Sequence, residues 1–203
     1  MMSKGLLVVF SGPSGTGKGT VLKTLLAQDK NIELSISATT RMPRPGETDG
    51  KDYHFISQNK FSTLVAEGKM LESAEYCGNW YGTPAEPIEE WTSQGKDVIL
   101  EIEVQGGAQV KRKRPDAVGV FILPPSLQEL EHRLRSRGTE TDEKVRKRLE
   151  VARRELGAAE HYDYSVVNDT VEAAAERIRW ILQAEKCRTC RNRQQIERML
   201  KND

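Results

Sequence analysis

Gly12-Pro13-Ser14-Gly15-Thr16-Gly17-Lys18-Gly19-Thr20 is the stretch whose reading decides the fold. Before it, Leu6-Leu7-Val8-Val9-Phe10 is a short apolar run of the kind that forms a buried parallel strand. After it, Val21-Leu22-Lys23-Thr24-Leu25-Leu26 has helical spacing. Strand, glycine loop and helix in that order are the setting of a phosphate-binding loop. Successive backbone N–H groups of such a loop converge on phosphate oxygens, and the helix N-terminus adds partial positive charge. Lys18 reaches toward the β- and γ-phosphates. The usual next residue is Ser or Thr, whose hydroxyl binds Mg²⁺. Here it is Gly19, and the hydroxyl follows one place later at Thr20. Nucleotide binding is the expectation.

The totals bound the rest. A chain of 203 residues buries a sizeable core as one domain with small insertions. Thirty-one Lys and Arg against 30 Asp and Glu leave a net charge of +1, so no global field attracts nucleic acid. A polyanion site must then be a local basic cluster. No apolar run approaches the roughly 20 residues that span a membrane. Residues 5–10 are too short to be a signal peptide. Three cysteines, Cys77, Cys187 and Cys190, do not make a disulfide scaffold. A cytoplasmic protein is expected, with no nucleic acid or membrane partner.

Along the chain, strands are expected at 33–37, 53–56, 69–76, 79–82, 97–104, 118–123 and 164–167. The stretch Ala38 to Asp52 is polar and basic with Pro43, Pro45, Gly46 and Gly50, and reads as a loop. Helices are expected at 58–67, from Pro84 to about Ser93, after the Gln105-Gly106-Gly107 turn to Arg114, from the Ser126 cap through Arg137, over about 142–161, and from 171 to Glu185. The basic tail from Lys186 reads as a short helix. The pattern is α/β: a parallel sheet flanked by helices, with a mixed α+β stretch and a helical stretch inserted.

Two clusters carry chemistry. Arg41, Arg44 and Tyr53 lie in the basic loop near Ser37, and guanidinium groups pair bidentately with phosphate, so a second phosphate site facing the glycine loop is expected. The bland alternative is a solvated basic loop. Glu101 and Glu103 alternate around Ile102 on one expected strand and so point to one face, which packing alone does not explain.

Leu71-Glu72-Ser73-Ala74-Glu75-Tyr76 with Gly78-Asn79-Trp80-Tyr81-Gly82-Thr83 resembles the nucleoside-monophosphate subdomain of guanylate kinase. So do Thr39-Thr40-Arg41-x-x-Arg44-x-Gly46-Glu47 and Gly50-Lys51-Asp52-Tyr53. The likeness continues through Glu101-Ile102-Glu103-Val104-Gln105-Gly106, Pro124-Pro125-Ser126, Arg137-Gly138-Thr139-Glu140-Thr141 and Val167-Asn168-Asp169, covering about residues 4–185 in family order. The ordered set, more than any single motif, is similar to the bacterial type of the family.

That resemblance implies a P-loop core of 1–36 with 96–125 and 160–203, a GMP-binding subdomain of 37–95 and a lid of 126–159. It implies transfer of the γ-phosphoryl group of ATP to GMP, with dGMP also accepted, and Mg²⁺ as cofactor. Ser37, Glu72 and Thr83 would read the guanine; Arg41, Arg44, Tyr53 and Tyr81 would hold its phosphate. Guanine offers two donors on one edge, which one carboxylate can accept, and an O6 acceptor for a hydroxyl. Glu101 and Glu103 would lie beside Mg²⁺ and the acceptor nucleotide, where many family members carry Asp. With Gly19, this points to Mg²⁺ held by phosphates and waters and by no protein ligand directly. Residues 12–20 with Arg133, Arg137 and Asn168 would bind ATP. Lys18, Arg41, Arg137 and Arg148 would carry the catalytic charge.

Trp80 reads as packing, and Trp91 and Trp180 as core at helical spacing. Cys187-x-x-Cys190 lacks the second ligand pair of a structural zinc site, and His54, His132 and His161 have no metal-type spacing. Two other readings stand beside the kinase: a different small-molecule P-loop kinase, or an inactive guanylate-kinase-like binding module. A monomer or a homodimer fits equally.

Overall fold

The structure, a computed structural model, describes residues 4–76, 78–136 and 141–201. The apolar runs form a five-stranded parallel sheet. Its strands are β1 (Leu7–Ser11), β2 (Ile32–Leu34), β7 (Asp97–Glu101), β8 (Val118–Leu123) and β9 (Tyr164–Val167), in the order β2-β7-β1-β8-β9. β1 lies in the middle, in register with Val98 to Glu101 on one side and Val118 to Phe121 on the other. All five of its residues are buried because helices cover both faces. On one face α1 (Lys18–Gln28) and α7 (Val171–Lys186) pack Val21, Leu22, Leu25, Ala174, Ile178 and Leu182 against Val8, Phe10, Val120 and Ile122. On the other, α3 (Glu86–Ser93) and α4 (Val104–Lys113) bring Ile88 and Val110 onto Leu7, Val9, Val98 and Leu100.

A second, four-stranded mixed sheet is inserted between β2 and β7. Its strands are β3 (Ala38–Thr39), β4 (His54–Phe55), β5 (Met70–Tyr76) and β6 (Asn79–Pro84), ordered β4-β3-β6-β5, with α2 (Gln58–Ala66) beside it. Its core is small: Ala38, Phe61 and Met70, with Ile56, Leu64 and Trp80 packed against them. A helical pair, α5 (Leu127–Ser136) and α6 (Asp142–Gly157), makes a separate cluster of Leu130, Leu134, Val145 and Ala152. A 3₁₀ turn over Ala158–His161 leads into β9, and α8 (Thr189–Lys201) ends the described chain.

Several expectations are corrected. β2 stops at Leu34 rather than at residue 37, and Ala38–Thr39, expected as loop, pair with both β4 and β6. Pro84 closes β6 instead of opening a helix; the proline in the first turn of α3 is Pro87. The Gln105-Gly106-Gly107 turn is the first turn of α4. A Cβ on Gly106 would stand 2.7 Å from Glu72 Oε2, so these glycines let a helix approach closely rather than bend a loop. Glu103 therefore precedes a helix and does not share a strand with Glu101. Trp180 is 62% exposed on α7, while Trp91 does pack against the core. The tail helix has 13 residues. Ser126 Oγ accepts from Glu129 N at 3.0 Å, half of the expected capping box; the Glu129 carboxylate turns to Arg133 instead.

Candidate active site

The strand ends, the glycine loop and the small sheet enclose a cleft of about 450 Å³. It opens at the C-terminal ends of the parallel strands, where the loops of an open α/β sheet leave room for a ligand. From the core come Gly12, Lys18, Glu101 and Glu103; from the inserted region come Ser37, Arg41, Arg44, Tyr53, Glu72 and Tyr81. Residues expected to meet donor and acceptor thus share one cleft.

The glycine-loop half follows from the backbone. Gly12 has φ +149°, and a Cβ there would lie 2.4 Å from the Ile122 carbonyl oxygen, so only glycine lets the chain leave β1 beside β8. α1 has neither a side-chain N-cap nor an acidic residue in its first turn. Its leading N–H groups are left for an anion. Lys18 Nζ donates to the carbonyls of Gly12 at 2.6 Å and Pro13 at 3.2 Å, folded back along its own loop. Burial lowers its pKa, opposed by the carboxylates of Glu101, Glu103 and Glu155. Glu101 keeps an open face on the cleft, yet the surrounding protein raises its pKa, with Lys18 pulling the other way. Thr16 is buried, its hydroxyl donating to Pro13 O at 2.8 Å, while Gly19 and Thr20 are exposed at the start of α1.

Behind the loop, Asn168 Nδ2 donates to Thr16 O at 2.7 Å, and the Asn168 carbonyl accepts from Arg133 at 3.2 Å. Arg133 also pairs with Glu129 at 2.8 Å. Arg148, from α6, reaches the Ser14 hydroxyl. Arg137 lies outside the described residues.

On the side of the small sheet, Arg41 forms a bidentate pair with Glu47 at 2.9 and 3.0 Å and donates to Met42 O at 2.7 Å. Glu47 also accepts from Arg44 N at 2.7 Å. The pair holds the Arg41 guanidinium above, and the Glu47 carboxyl below, its ordinary pKa. The guanidinium lies 5.4 Å from the Tyr53 ring centre, and Tyr53 meets Tyr81 edge-on at 5.9 Å. Glu72 and Thr83 face each other across β5 and β6, and Thr83 Oγ1 donates to Glu72 Oε1 at 2.6 Å. Glu72 is 5% exposed, and burial raises its pKa against the pull of Thr83 and Lys113. Trp80 packs on Phe61 at 6.0 Å, as expected.

The guanylate kinase family model matches residues 4–185. The chain belongs to the guanylate kinase family. A guanylate kinase of Lactococcus lactis is 53% identical over 94% of this chain and 93% of its own length. One of Desulfitobacterium hafniense is 51% identical over 92% and 94%. The crystal structure of guanylate kinase from Anaplasma phagocytophilum superposes with a TM-score of 0.76 at 39% identity, covering 94% of this chain and 90% of that one. The P-loop α/β fold expected from the sequence is therefore the family's fold. No helix among the described residues is long and apolar enough to cross a membrane.

Two residues that act on cleft side chains, Glu47 on Arg41 and Glu155 on Lys18, escaped the sequence reading. Glu47 stands within a quoted motif, but its grip on Arg41 depends on how the loop folds back. Glu155 was one acid in a charged helix, and no spacing signal marks it.

Proposed function

We propose that this cleft transfers the γ-phosphoryl group of ATP to GMP, and to dGMP, giving ADP and the nucleoside diphosphate. The observation that carries the reading is Glu72: a buried carboxylate, held by Thr83, opening onto the same cleft as Lys18. Such a carboxylate accepts both donors of the guanine edge. Adenine, with an acceptor at N1, leaves it badly paired, which costs far more than a lost contact. Ser37 supplies a hydroxyl to the same base.

The rest of the chemistry is charge and position. The attacking oxygen belongs to the GMP phosphate, whose second pKa is about 6, so it is largely ionised at neutral pH and no general base is needed. Two polyanions must then be brought together. Arg41, Arg44, Tyr53 and Tyr81 orient the acceptor phosphate. Backbone N–H groups from Gly12 to Thr20 and the Lys18 ammonium, swung off its carbonyls, take the donor phosphates. Arg133 and Asn168 brace the donor side, and Arg137 and Arg148 add charge over the transferring group. Glu101 and Glu103 border the space between the two nucleotides.

Gly19 stands where a coordinating hydroxyl is usual, and Glu101 and Glu103 line the same cleft as Lys18. These residues fit an Mg²⁺ carried by nucleotide phosphates and water, which would neutralise charge on the transferring group. The core of 1–36, 96–125 and 160–203 serves as the frame, with 37–95 and 126–159 as the parts that close to exclude water. We assign the protein to the cytoplasm, as a monomer or homodimer.

The test is ADP release from Mg-ATP with GMP, AMP, CMP or UMP as acceptor. Release confined to GMP is expected. Release with a different base would remove the role given to Glu72, and none with any base would remove the kinase.

A further inference from the structure

β5 is an edge strand of the small sheet, paired with β6 on one side only. An edge strand leaves a row of backbone N–H and C=O groups with no strand to pair with. At Ser73 both groups are taken by one side chain of α4. Gln109 Oε1 accepts from Ser73 N at 3.2 Å, and Gln109 Nε2 donates to Ser73 O at 2.9 Å. A glutamine amide offers an acceptor and a donor in one plane, so it pairs with the backbone as a neighbouring strand would. Two further residues on this face of α4 bear on the same strand. Gly106, three residues earlier, leaves the space that the Glu72 carboxylate occupies, since a Cβ there would stand 2.7 Å from Oε2. Lys113, four residues later, donates to Met70 O at 3.1 Å.

These contacts fall where β5 changes register. Met70 pairs with Pro84 and Glu72 with Thr83, which makes Leu71 an extra residue in the strand. Leu71 joins the cluster of Val110 and Leu100, whereas Met70 belongs to the core of the small sheet. A bulge re-aims the side chains beside it and interrupts the strand's own pairing. The direction of Glu72 therefore depends on what holds β5 along its open side.

We propose that Gln109 is a positioning residue for base recognition: its amide pins β5 beside the bulge and so holds the Glu72 carboxylate at the angle that accepts both guanine donors. The proposal rests on the reading above, in which Glu72 reads the guanine. Thr83 holds one carboxylate oxygen from within the sheet, and Gln109 holds the strand from the core, so the reading group is fixed from two sides.

Gln109→Met keeps the length of the side chain and removes both hydrogen bonds. KM for GMP should rise about tenfold, with kcat and KM for ATP little changed. Inosine monophosphate separates positioning from general loosening, because its base has the N1–H donor but no exocyclic amine. The preference for GMP over inosine monophosphate, as a ratio of kcat/KM, should narrow about fivefold. Gln109→Glu keeps the acceptor for Ser73 N–H and loses the donor, so it should fall between wild type and Gln109→Met, and its shift alone decides if Gln109→Met does not fold. Hydrogen exchange of the Ser73 amide in the ligand-free protein should quicken about tenfold or more in Gln109→Met. Unchanged exchange would overturn the pinning of β5. Faster exchange with an unchanged nucleotide preference, or an equal rise in KM for both substrates, would overturn the positioning role. A wild type that phosphorylates no guanine nucleotide would overturn the transfer reading and this role with it. A wild type that does so, beside variants that do not differ from it, removes the role of Gln109 alone.

Discussion

The two halves of the cleft hold their positive charge in different ways. Lys18 is a desolvated ammonium on a flexible stem, resting on the carbonyls of Gly12 and Pro13. Arg41 is a planar fork clamped by Glu47 and flanked by aromatic rings. A point charge that swivels suits a phosphate whose bonds change during reaction, whereas an oriented fork suits one that must be aimed and held. The donor half is thus set by the backbone of a single strand–loop–helix unit. The acceptor half is set by side chains that meet across strands and loops.

The largest expected effect breaks the donor side. Lys18→Met should lower kcat by about a thousandfold or more, because a charge aimed at the transferring group is lost. Thermal unfolding should show no loss of stability, since the removed ammonium is one that burial disfavours. A second expectation breaks the acceptor side. Glu72→Gln keeps a partner for Thr83 but turns an NH₂ toward the guanine donors, so kcat/KM for GMP should fall by about a hundredfold or more while KM for ATP stays unchanged. An equal loss for both substrates would mean that Glu72 holds the sheet together instead of reading the base.

A third measurement sharpens the contrast between clamp and swivel. Glu47→Gln removes the charge that orients Arg41, and KM for GMP should rise about tenfold with kcat little changed. A lower KM would show Glu47 to be a competitor for the arginine, making the acceptor side resemble Lys18 on its carbonyls.

The same contrast explains what was legible in the sequence. The parallel sheet could be read because its strands are buried on both faces and leave continuous apolar runs such as 6–10 and 118–123. The glycine loop could be read because its function lies in local backbone geometry. The acceptor half could not be assembled from spacing: β3 is two residues long and exists only through its partners β4 and β6. Glu72 gains its neighbour Thr83 from strand register, and here the family resemblance supplied what periodicity lacked. Gly106 and Gly107 signal a turn in sequence, yet in the fold they admit Glu72 and Tyr162 against a helix. Glu101 and Glu103 reach one cleft from a strand end and a helix start, which alternation alone misassigned. Glu155, one acid in a charged helix, acts on Lys18 only once α6 lies beside the glycine loop.

The smallest effect lies in the pH dependence of guanine recognition. Burial raises the Glu72 pKa above the ordinary carboxylate range, opposed in part by Thr83 and Lys113. A group with a raised pKa favours the ligand-free fold in its protonated form, and that advantage is lost as pH rises through the folded value. Base recognition needs the opposite form, the carboxylate that accepts two donors. Binding therefore favours the ionised form, and affinity should weaken as pH falls, starting above the range where an exposed glutamate titrates. GMP itself confuses the measurement, because its phosphate titrates near about pH 6. Guanosine as a competitive inhibitor has no phosphate, so its inhibition constant isolates the base. It should rise as pH falls in the wild type and stay flat in Glu72→Gln. A flat wild-type profile would mean that Glu72 keeps its charge despite burial, leaving the acceptor half as fully preorganised in its carboxylate as it is in its Arg41–Glu47 pair.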